Sequence, residues 1–186
     1  MSYLSHQWMK ILCDDESVSS GLVPHPEHLI PAFESQVEQF RHRASASVWP
    51  SYMEAMFRGM RLQAYSFIVN SKSSEADLYR GKALSEIIDL VAAARNDATS
   101  LGYWPVFTRY RVVFAASVGI YIAARTDDNT SRASLLRACK DAVNILFSCK
   151  FSTEHTRQSA RLRAIGQATC RLLIHNRSWS IATHHW

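Results

Sequence analysis

The chain has 186 residues, 47% hydrophobic and 20% charged, with a formal net charge of +5. That balance excludes an intrinsically disordered chain and supports one domain with a sizeable core. Only 6 glycines and 5 prolines punctuate the chain, so few, long elements are expected: an all-α fold, a single bundle-like domain of about seven helices.

The opening stretch, MSYLSHQWMKILCDDESVSS, has no basic start. Its apolar positions are interrupted by His6, Gln7 and Lys10, and Asp14, Asp15 and Glu16 follow at once. A signal peptide is therefore not expected, and Cys13, Cys139, Cys149 and Cys170 are expected to stay reduced, as small apolar groups. A first helix over 3–12 and a turn-rich link occupy residues 1–26, ahead of a helical domain over 27–174.

The second helix, near 27–43, carries Leu29, Phe33, Val37 and Phe40 on one stripe. The third starts at Pro50, a favoured first-turn residue, and runs to about Asn70. Met53, Met56, Phe57, Met60, Ala64, Phe67 and Ile68 share a face. Core packing explains this methionine-rich stripe more simply than a promiscuous docking groove. Ser73 and Ser74, followed by Glu75 and Asp77, form a helix start with capping hydroxyls and first-turn acids. The fourth helix, about 75–98, turns Ala76, Tyr79, Ala83, Ile87, Leu90, Val91 and Ala94 inward.

Gly102 and Pro105 break the chain before the most hydrophobic stretch, TRYRVVFAASVGIYIAARTDDN over 108–129. Between Arg111 and Arg125 it spans only about 20 Å as a helix, short of the roughly 30 Å hydrocarbon core of a bilayer. With charges on both flanks it reads as a buried core helix, and no membrane is expected as a partner. Asp127–Thr130 form a loop and cap. The sixth helix, near 131–149, carries Leu135, Leu136, Cys139, Val143 and Leu146. The seventh, about 153–174, carries Leu162, Ile165, Thr169, Leu172 and Leu173, and the tail over 175–186 has no periodicity and is expected to be flexible.

Catalytic signatures are missing: there is no nucleophile elbow, zincin helix, P-loop or Rossmann glycine run, and no enzyme is expected. Glu34 and Glu38 lie four apart, as solvated acids on many helices do. His25 and His28, and His184 and His185, lie in expected loops with no cysteines beside them, so no catalytic residue and no metal ligand is assigned. Residues 151–186 hold Arg157, Arg161, Arg163, Arg171 and Arg177 against Glu154 alone. Arg157, Arg161 and Arg171 fall on one stripe of the seventh helix. That candidate basic surface could meet phosphates or an acidic partner, or be a solvated face.

The order of the segments resembles a known arrangement. LIPAFESQVEQFRHR, MFRGMRLQAYSFIV and ADLYRGKALSEIIDLV, then YWPVFTRYRVVFAASVGIYIA and LLRACKDAVNILFSCKFSTEHTRQSARLRAIGQA, resemble successive helices in fungal zinc-cluster transcription factors. They are similar to the carboxy-terminal half of the helical middle homology region. Glu154 and Arg157 stand where the family more often shows Asp and Arg. The resemblance covers residues 28–174 and is one of helix order, spacing and residue character.

What the resemblance implies is a regulatory module in the nucleus (a cytoplasmic setting being the alternative), controlling transcription through a ligand or partner. Its partners would be other regions of a longer regulator or the transcription machinery. The six clustered cysteines of the family's DNA-binding motif have no counterpart in residues 1–186. No cofactor is therefore expected in this chain, zinc belonging only to a missing cluster, and no direct sequence-specific nucleic-acid contact. The chain would be a piece of a longer regulator or a truncated relative. Ala115, Ala116, Ser117 and Gly119 on the fifth helix allow close approach by neighbouring helices or by a small apolar effector. The effector-facing candidates are Tyr110, Phe114 and Tyr121. The rival reading is a free-standing helical interaction or small-molecule-binding module.

Overall fold

A computed structural model of the chain describes residues 28–44, 50–69 and 74–148. Among these the structure is all helical, without a strand. Its α-helices are α1 (Ile30–Ala44), α2 (Ser51–Val69), α3 (Ala76–Asn96), α4 (Val106–Ala123) and α5 (Asn129–Ser148), with a 3-10 turn at Leu101–Tyr103. These are the second to sixth expected helices. The expected helices over 3–12 and 153–174, the flexible tail, and Cys13, Cys149 and Cys170 lie outside the described residues.

α2 to α5 alternate in direction. Arg58 of α2 sits beside Asp89 of α3, and Tyr65 beside Tyr79, so α2 and α3 are antiparallel. α4 runs with α2, placing Arg111 on Gly59 and Tyr121 near Ser66 and Val69. α5 returns against α4: Arg132 Nε donates to the Ala123 carbonyl at 3.2 Å, and the Cys139 thiol to that of Ala116 at 3.3 Å. α3 packs on α2, α4 and α5, whereas α2 and α5 occupy far corners of the bundle; α1 lies against α2.

The apolar pattern explains these faces. α3 buries Ala76, Tyr79, Ala83, Ile87, Leu90, Val91 and Ala94, the seven inward positions read from its spacing. α2 is buried more broadly than one stripe, adding Leu62, Tyr65 and Val69. Met56 and Met60 are core residues, 4% and 3% exposed, while Met53 is partly buried against the same core. On α1, Ile30, Phe33 and Val37 are buried, but Phe40 is 38% exposed. Among the described residues α1 packs mainly on α2, and the far end of its stripe meets Phe57 obliquely, with ring centroids 6.1 Å apart.

α4 departs from the expected short apolar run. It is an 18-residue helix of mean hydropathy 1.3, long and apolar enough by composition to cross a membrane, and more than half of it is buried in the bundle. The helix begins ahead of Arg109 and Arg111 because the protein accommodates both guanidinium groups. Arg109 is buried, and Arg111 donates to the Gly59 carbonyl at 3.1 Å and to the Gln63 side chain. Burial lowers the Arg111 pKa from its ordinary value.

Caps and turns set the connections. Serine hydroxyls were expected ahead of α3, but Glu75 precedes it and makes no side-chain cap bond. Between α3 and α4, the buried Trp104 indole donates to Asp97 at 2.8 Å, and Pro105 starts the next helix. At the α4–α5 corner the Asp128 carboxylate accepts the backbone amides of Thr130 and Ser131 at 3.1 and 2.9 Å. This is the expected loop and cap.

Candidate functional site

The candidate site is the face where α2 and α4 run side by side. Phe114 and Tyr121, seven residues apart and so two turns along α4, line a groove of about 240 Å³ with Ser66, Val69, Ser117 and Val118. Both aromatics are half-buried and packed against the core. Tyr110 is half-buried as well and packs on the same core, but it is not part of that lining. Two of the three effector-facing candidates thus share a groove.

Local chemistry shapes this groove. The Ser66 hydroxyl donates to the Gln63 carbonyl at 2.7 Å and that of Ser117 to the Val113 carbonyl at 3.1 Å. Each hydroxyl is thereby turned back toward its own helix. The Arg125 guanidinium lies 3.6 Å from the Tyr121 ring centroid, a cation–π contact that fixes one end. The groove holds no nucleophile–base pair.

The small residues of α4 serve close helix packing. A Cβ added at Gly119 would lie 2.8 Å from the Cys139 sulfur, so α5 occupies the space that glycine leaves. Cys139 is a buried free thiol, and burial pushes its pKa up to about 12. It is a packing group that keeps its proton.

A second polar assembly lies where α1, α2 and α3 meet. Arg61 Nε binds Glu86 at 2.7 Å while its Nη1 binds Glu38. Arg58 Nη1 bridges Glu86 at 3.2 Å and Asp89 at 2.8 Å, and Arg41 reaches Glu54 at 3.0 Å. Tyr65 donates to Glu34 at 2.5 Å, and Lys82 binds the same carboxylate at 2.9 Å while lying 4.9 Å from the Tyr79 ring centroid. Burial works to lower the Arg61 pKa, but the charge and hydrogen bond of Glu86, with Glu38 behind, reverse that and hold it above its ordinary value. Burial first, and then the bond to Glu34, raises the Tyr65 phenol.

Glu34 and Glu38 therefore tie α1 to its neighbours, Glu34 at 25% side-chain exposure and Glu38 at 40%. The available signal was spacing: Glu34 and Glu38, Arg58 and Arg61, and Glu86 and Asp89 each recur three or four apart, on one face of their helices.

No group of three or more histidine, cysteine, aspartate or glutamate side chains comes together to hold a metal ion among the described residues. His28 is exposed at the start of the described chain. His25, His184 and His185 lie outside the described residues, as do the basic-surface candidates Arg157, Arg161 and Arg171. Comparison of the chain with protein-family models, with curated proteins and with solved structures finds no match.

Proposed function

We propose that this chain is a regulatory helical module of a fungal zinc-cluster transcription factor, acting in the nucleus through ligand or partner binding without itself reading DNA. The observation that carries the reading is the registration of helices on the stretches that bear the resemblance. α1 covers most of LIPAFESQVEQFRHR, α2 contains MFRGMRLQAYSFIV, α3 opens on ADLYRGKALSEIIDLV, and α4 begins at the proline within YWPVFTRYR. The groove beside Phe114 and Tyr121 gives such a module a place for a small apolar effector.

A reporter assay tests this reading. The chain is placed between a heterologous DNA-binding domain and an activation domain in yeast, beside a helical spacer of equal length. A regulatory module lowers reporter output relative to the spacer, and Tyr121→Ala or an added metabolite alters that restraint. Output equal to the spacer, unmoved by metabolites, would sink the reading.

The rival reading, a free-standing interaction or small-molecule-binding module, draws on the surface between α3 and α5 described next. It is favoured if a purified partner binds the chain while the reporter stays silent.

A further inference from the structure

Beside the effector groove, the bundle carries a larger open groove of about 670 Å³ on another face, between α3 and α5. α3 and α5 run in the same direction there. The first turns of α3, at Asp77 and Arg80, lie by the start of α5 at Ser131, and Arg95 near its end reaches Asp141. Ile88, Val91, Ala92 and Ala138 contribute apolar lining. From Asn129 to Asp141 the α5 wall is about 18 Å long at the helical rise of 1.5 Å per residue, room for about three turns of another helix. Small side chains at Ala92, Ala133 and Ala138 let a backbone approach closely.

The rim decides what fits. Arg95 is 60% exposed and meets Asp141 only at 3.4 Å, a surface pair that contributes little and can exchange partners. Arg137, exposed one turn before Asp141, makes no ion pair with any described residue. The rim thus offers two guanidinium groups against one carboxylate. The chain's own residues 151–186 are a poor match, because Arg157, Arg161, Arg163, Arg171 and Arg177 carry the same sign and only Glu154 opposes them.

We propose that the α3–α5 groove docks an amphipathic helix of a partner protein whose apolar stripe is flanked by acidic side chains. The stripe lies over Val91, Ala92 and Ala138, and the flanking carboxylates take Arg137 and draw Arg95 from Asp141. This is the helix-in-groove mode, with charge setting specificity.

The test uses the full chain and a fluorescein-labelled synthetic helix of about 18 residues, long enough to exceed the three turns of the groove. The helix carries leucine at i, i+4, i+7 and i+11 with glutamate on both flanks, and a twin peptide replaces every glutamate with lysine. Fluorescence anisotropy should show saturable binding of the glutamate peptide, about ten-fold tighter than the lysine twin, and weaker in high salt. Arg137→Glu, at an exposed position, should keep the circular dichroism of the parent. It should weaken the glutamate peptide about ten-fold and improve the lysine peptide. Equal affinity for both peptides, indifference to Arg137→Glu, or no saturable binding overturns the proposal. So does a dimer in analytical ultracentrifugation that Arg137→Glu dissociates, since a second copy would then be the occupant.

Discussion

The two halves of the bundle are held together by different physics. Where α1, α2 and α3 meet, a charge network flanks the apolar core: Arg61 joins Glu38 to Glu86, Arg58 joins Glu86 to Asp89, and Lys82 joins Glu34 to two tyrosine rings. Where α4 and α5 meet, contact runs largely through volume: Gly119 admits the Cys139 sulfur, and the Ala116 carbonyl accepts a hydrogen bond from its thiol. A charge network tolerates small shifts of its long side chains but fails when one partner is removed. A small-residue seam is indifferent to charge and fails when a methyl group is added. The comparison teaches that α1, held by a short apolar stripe and a set of carboxylates, is the helix whose attachment depends most on ionic partners.

The largest expected effect comes from breaking the charged side at its centre. Arg61→Leu removes the guanidinium between Glu38 and Glu86 and leaves Glu86, only 12% exposed, to Arg58 alone. Loss of one partner of a buried pair costs about 3–5 kcal/mol, measured as a fall in urea unfolding free energy. A loss below about 1 kcal/mol would show that the network is loosely solvated, as surface pairs are.

The seam should respond next. Gly119→Ala drives a methyl into the Cys139 sulfur and should cost about 1–3 kcal/mol by overpacking. Cys139→Ala removes the obstructing atom, so the double variant should recover most of the Gly119→Ala loss. A coupling near zero in that double-mutant cycle would mean that α4 and α5 relax apart instead of meshing.

These two sides also differ in how far sequence reasoning reaches them. Periodicity located α2 to α5 and all seven buried positions of α3, because a helix with neighbours along its length must keep its apolar residues at helical spacing. It put Phe40 on the same stripe as Phe33 and Val37, but could not show that this end of the stripe is 38% exposed, since periodicity identifies a face and not how far the neighbouring helix extends beneath it. It likened Glu34 and Glu38 to solvated acids, because the partners Arg61 and Tyr65 are tertiary facts, 23 and 31 residues distant. Phe114 and Tyr121 were legible as neighbours two turns apart. Tyr110 was grouped with them by sequence proximity, but it does not line their groove. The α3–α5 groove left no mark in the pattern, since it depends on how two helices not adjacent in sequence diverge.

A smaller effect should come from the edge of the charged side. Tyr65→Phe deletes the 2.5 Å bond to Glu34 without changing the ring contact with Tyr79. Glu34 keeps Lys82, so the loss should be about 1 kcal/mol, the net worth of one hydrogen bond. A loss as large as that of Arg61→Leu would place the attachment of α1 at Glu34 instead of Glu38.

The smallest effect should be found at Asp128, where the apolar half depends on a charge. This carboxylate caps α5 through Thr130 and Ser131, and bonds from Ser131 and then Thr130 hold its pKa below the ordinary 3.8. A carboxyl whose pKa is lower folded than unfolded adds stability that is fully present above the unfolded value and disappears as pH falls through the folded one. Asp128→Ala should therefore lower Tm slightly at pH 7, and that difference should close as pH is taken well below 4. A difference that persisted in acid would show that the cap acts through the shape of the turn rather than its charge.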